Sequence, residues 1–122
     1  MTRQVMPAAV VVLGALPTNI DLVLYQGDDF RMNITLDDSV NPIDLTGYVA
    51  KAEIRAAPGG DTVLASFDAS VTGPTTVALH LTSAESAKLD KNAAWDVQVT
   101  DPASAVATLA YGTVQLHKDV TR

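Results

Sequence analysis

Between Asp44 and Ala56 the chain alternates without a break. After the polar turn Asp44-Leu45-Thr46-Gly47, the residues Tyr48, Ala50, Ala52, Ile54 and Ala56 fall on one parity, and Lys51, Glu53 and Arg55 fall on the other. Successive side chains of a β-strand point to opposite faces, so this stretch is a strand with one face in a core and one in water. It reads as the central strand of a sandwich, because the rest of the chain repeats the same pattern.

Ile20, Leu22 and Leu24 alternate up to the turn Gln26-Gly27-Asp28-Asp29, and Phe30, Met32, Ile34 and Leu36 then alternate with Arg31, Asn33 and Thr35. Two strands joined by a Gly/Asp turn form either a hairpin or a sandwich corner. The run Asp37-Asp38-Ser39-Val40-Asn41-Pro42 is turn chemistry, since Asp and Asn bond their own backbone and Pro fixes φ. Val63, Ala65, Phe67, Ala69 and Val71 predict another strand, and Val77, Leu79 and Leu81 one more. Thr82-Ser83-Ala84-Glu85 fits a capping box, which predicts a short helix lasting to about Leu89, with Leu89 tucked under the sandwich. Trp95, Val97 and Val99 alternate next, with Trp95 expected in the core. In the final stretch from Val106 to Val120, a change of parity at Gly112 predicts a β-bulge.

The total is about seven or eight short strands with one helical turn, the pattern of an all-β, antiparallel, immunoglobulin-like β-sandwich. At 122 residues the chain is long enough for one such domain. Its hydrophobic content of 48% against 18% charged residues marks a packed globule, and with only 5% aromatics, valine and small residues are expected to carry the core.

Residues 1–19 stand apart from the sandwich expected over 20–122. The apolar run from Ala8 to Leu16 is too short for the ~20 residues of a membrane-spanning helix. Its length suits a signal-peptide hydrophobic region behind Arg3, but the cleavage pattern near Gly14 and Ala15 is poor. It is read as an ordered β-rich arm. The arm either supplies a first strand to its own sandwich or pairs with a neighbouring subunit, with Val10, Val11, Val12, Leu13 and Leu16 as the interface residues.

Catalytic patterns are absent from the sequence. A catalytic base needs a positioned partner, and the two histidines, His80 and His117, have none nearby in sequence, so they are expected to be exposed and uninvolved; no Gly-x-Ser-x-Gly, phosphate-loop or His-Glu-x-x-His motif occurs. Asp28 and Asp29, with Asp37, Asp38, Asn41 and Asp44, offer oxygen ligands to a hard cation such as calcium. Their spacing does not match an EF-hand loop, and they are read as solvated turns, with no metal and no cofactor expected. With 8 basic and 14 acidic residues the net charge is −6, which repels phosphate backbones and anionic membranes, so neither nucleic acid nor membrane is an expected partner. There is no cysteine, so disulfides and thiolate chemistry are excluded.

Several segments, taken in order, resemble a known family: Leu24-Tyr25-Gln26-Gly27-Asp28-Asp29-Phe30, Pro42-Ile43-Asp44-Leu45-Thr46-Gly47-Tyr48, Lys51-Ala52-Glu53-Ile54-Arg55, Leu81-Thr82-Ser83-Ala84-Glu85, Ala94-Trp95-Asp96-Val97, Tyr111-Gly112-Thr113-Val114 and Asp119-Val120-Thr121-Arg122. Together they resemble the immunoglobulin-like N-terminal domain of bacteriophage baseplate upper proteins, over Ile20 to Arg122. The resemblance implies a non-enzymatic module that docks on the tail-tip core. That family's domain usually leads into a linker helix and further domains, whereas this chain ends at Arg122 and adds the arm before Pro17.

The expectation is therefore an adaptor or assembly subunit of a tailed-phage virion, in the tail tip or baseplate. Its partners would be other virion proteins and copies of itself. A head decoration or neck protein, a bacterial surface carbohydrate-binding or adhesin module, and a small calcium-dependent binding domain are the other readings.

Overall fold

The computed structural model describes residues 8–12, 17–37 and 44–118. Among them are nine strands: β1 (Ala8–Val12), β2 (Thr18–Asn19), β3 (Leu22–Tyr25), β4 (Phe30–Asp37), β5 (Val49–Arg55), β6 (Val63–Gly73), β7 (Thr76–Leu81), β8 (Ala93–Thr100) and β9 (Val106–His117). One helical turn, α1 (Ser83–Ser86), lies between β7 and β8. The strand order is β1-β4-β7-β6-β5-β8-β9-β2, with β3 also on β9.

This is an immunoglobulin-like sandwich made by one curled sheet. The first half of β6 pairs with β5 and its second half with β7, so β6 carries the chain from one layer to the other. Five pairings are antiparallel, as the alternation predicts. The two ends are not: β1 runs parallel to β4, and β2 and β3 run parallel to β9. Alternation sets which face a side chain takes, and it is silent about strand direction. The Gln26–Asp29 turn is likewise a sandwich corner and not a hairpin, because β3 and β4 pair with different neighbours.

β5 sits mid-sheet, with Ala52 and Ile54 buried and Tyr48 and Ala50 packed against the core. Among the described residues the core leans more on leucine than composition suggested: eight leucines are buried beside four valines and four alanines. Leu89 is 1% exposed and closes the sandwich from below, as expected. Replacing it by Ala should cost about 2–5 kcal/mol in a urea titration, because the side chain is fully buried in the core cluster and its loss leaves a cavity.

The helix is shorter than predicted. The Thr82 hydroxyl accepts from the Glu85 backbone N–H at 3.2 Å, as a cap should, but Glu85 does not reach back. Its carboxylate instead accepts the Ser66 N–H of β6 at 2.9 Å and pairs with Lys88, which pins the turn to the sheet. Ser86, the buried polar residue beneath, donates to the Asp28 carbonyl at 2.7 Å, and the Gln26 amide donates to the Leu89 carbonyl at 2.7 Å.

The bulge lies three residues before its predicted place. Val97 faces Ala110 but Gln98 faces Thr108, so Leu109 is the extra residue, and Leu109 and Ala110 are both buried. Gly112 does something else. There the Ile20-Asp21 link between β2 and β3 crosses the face of β9, held by Ile20 N–H to the Tyr111 carbonyl (2.8 Å) and Thr113 N–H to the Asp21 carboxylate (3.0 Å).

Candidate contact surfaces

The sequence-predicted interface residues fall on β1 and beyond it. Val10, Val11 and Val12 lie opposite Thr35, Leu36 and Asp37 of the same chain's β4. Leu13 and Leu16 lie outside the described residues, as do Asp38, Asn41 and the closing Asp119-Val120-Thr121. Among the described residues β1 pairs with β4 and with no other strand, and it ends the strand order.

The acidic turn residues have structural work of their own. The Asp44 carboxylate accepts both the hydroxyl and the N–H of Thr46, which holds its carboxyl below the ordinary 3.8. Asp29 is tied at 2.6 Å to His80 and at 3.4 Å to Arg31, and the hydrogen bond with His80, ahead of the charge of Arg31, lowers its carboxyl too. His80 is thus not uninvolved: its partner is 51 residues away in sequence and next to it in space. His117 stacks on Tyr25 with centroids 4.9 Å apart. Among the described residues no group of three or more His, Asp or Glu side chains is placed to hold a metal ion.

The outer face of β5, β8 and β9 holds what the sequence did not announce. Cross-strand register lines up Lys51 with Gln98, Glu53 with Asp96 and Tyr111, and Arg55 with Ala94 and Thr113. The loop between β5 and β6 folds over one side and encloses a polar groove of about 380 Å³ lined by Lys51, Glu53, Arg55, Asp61, Asp96 and Gln98. Both cations lean to one carboxylate. Arg55 reaches Glu53 at 2.8 Å and donates to the Gly60 carbonyl at 2.6 Å, and Lys51 stands 3.7 Å from Glu53. A depression between Arg55, Pro58 and Ala94 joins this groove to an apolar pocket of about 300 Å³ walled by Ala56, Pro58, Ala94 and Tyr111.

Asp96 is the strained member of this set. Burial pushes its carboxyl above the ordinary 3.8, and Glu53 across the strand pair pushes it further, with Arg55 offsetting part of the rise. Like charges directly opposite on neighbouring strands destabilise a sheet. The sign follows from linkage. A raised folded pKa means the ionised group opposes folding at every pH above that value, and the opposition fades as pH falls toward 3.8. Asp29, Asp44 and Glu85 act in the opposite sense. Their lowered carboxyls support the fold above 3.8 to 4.5, and that support is lost as pH falls through their depressed values. Asp96→Asn is accordingly expected to be more stable than the parent at neutral pH, with the difference shrinking toward about pH 4. Urea titrations at the two pH values check this, and a less stable variant at neutral pH would refute it.

An all-β sandwich with small polar and apolar grooves on one sheet, and a strand edge at the end of its order, defines an immunoglobulin-like β-sandwich module. The model of the LtfC-like β-sandwich domain matches residues 16–117, so the chain belongs to that family. No curated protein matches it. Of solved structures, 118 chains match, which marks a fold shared across many proteins. One is the N-terminal domain of phage TP901-1 ORF48, at 10% identity and a TM-score of 0.57, covering 93% of this chain and 100% of that one. Another is the cysteine protease inhibitor EhICP2 from Entamoeba histolytica, at 12% identity and a TM-score of 0.45, covering 92% of this chain and 97% of the other.

Proposed function

We propose that this chain is a non-enzymatic structural subunit of a tailed-phage virion, an adaptor in the tail tip or baseplate that assembles with other virion proteins and with copies of itself. The observation that carries the reading is the fold shared with the whole N-terminal domain of phage TP901-1 ORF48. It agrees with the ordered segments by which the sequence resembles baseplate upper proteins, whose domain is a docking module. Assembly uses strand edges. β1 completes its own sandwich on one side, through β4, and a neighbour's strand adds on the other by β-augmentation.

Two experiments test the reading. In a density gradient of particles made with this protein, the chain is expected to band with the particles in fixed multiple copies; finding it only in the free-protein fraction would refute virion membership. The chain shortened to residues 17–122 should still fold, because the described core runs from Leu22 to Val114. Circular dichroism should show the same β signal, while incorporation into particles is lost. Normal incorporation of the shortened chain would remove the arm from the mechanism.

A further inference from the structure

Asp96 is ionisable, half-buried in the groove floor and placed opposite another carboxylate, and both neighbouring cations are engaged by Glu53. The apolar wall of Pro58 and Ala94 begins beside it, and Tyr111 stands beyond. A long basic side chain has the matching form, with a methylene stem that lies along apolar surface and a charged head that needs a carboxylate.

We propose that this groove receives an arginine or lysine side chain from a partner polypeptide, its head on Asp96 and its stem along Pro58 and Ala94. Charge complementarity favours a separate, basic partner. With a net charge of −6, the chain draws a basic segment to this groove more strongly than it draws the acidic surface of a second copy. The carboxylate that opposes folding in the free domain is then the one that binding satisfies. The proposal goes beyond the virion reading and does not depend on it, because it uses only the groove.

The probe is a capped alanyl-arginyl-alanine peptide, with the lysyl peptide beside it and the glutaminyl peptide as neutral control, titrated into the ¹⁵N-labelled protein. Expected are saturable amide shifts at Glu53, Gly60, Asp96 and Gln98 with either basic peptide and none with the control. Affinity should fall at least tenfold in Asp96→Asn and stay unchanged in Asp68→Asn, which removes an exposed carboxylate on β6 away from the groove. The spectrum of each variant reports its folding in the same experiment. Undiminished binding by Asp96→Asn, shifts spread evenly over acidic residues including Asp68, or no groove shifts at all would each overturn the proposal. So would groove shifts that grow with protein concentration in the absence of peptide, which would make a second copy the occupant.

Discussion

Gly112→Ala is expected to destabilise the domain by about 3 kcal/mol or more, a large effect for a single methyl group. A Cβ at this position would stand 2.0 Å from the Ile20 carbonyl oxygen and 2.7 Å from its carbon, far inside contact distance and against backbone. The Ile20-Asp21 crossing must then lift off β9. It would take with it the Ile20 N–H to Tyr111 carbonyl bond (2.8 Å), the Thr113 N–H to Asp21 bond (3.0 Å) and the Trp95 indole bond to the Ile20 carbonyl (2.8 Å). Each such bond contributes roughly 1 kcal/mol net, and the indole N–H would be left buried without an acceptor. The urea midpoint should drop sharply. A change below about 1 kcal/mol would mean that the crossing is not fixed where described.

Trp95→Ala should cost ~3–5 kcal/mol. The ring is 3% exposed, lies against Phe67 with centroids 5.9 Å apart, and occupies the core where β8 faces Gly112. Trp95→Phe separates two contributions, keeping an aromatic in the core while removing the N–H that the Ile20 carbonyl accepts; about 1–2 kcal/mol is expected from that loss. Denaturation followed by circular dichroism measures both variants. A near-zero change for the alanine variant would place the ring outside the core, against the packing described.

The two substitutions also mark what a sequence can and cannot disclose. Trp95 and Leu89 were legible as core because each continues a local pattern, alternation along β8 in one case and the turn after Thr82 in the other. The face of Lys51, Glu53 and Arg55 was legible for the same reason. What it faces was not. Glu53 meets Asp96 only because the register of β5 on β8 brings together residues 43 apart, and no local spacing encodes that. His80 with Asp29, and Gly112 under Ile20, are long-range meetings of the same kind. Direction was equally hidden, since parallel β3 carries the same alternation as an antiparallel strand would. The bulge was misplaced because Ala110, being small, gives a weak parity signal, and its burial beside Leu109 shows only once β9 is paired with β8.

Gold-labelled antibody raised against the folded domain and applied to intact particles asks most directly whether this sandwich is part of a tail. Label clustered at the tail tip of each particle, in several copies, is expected. Label confined to the head, or particles left bare while free protein reacts, would contradict the assignment.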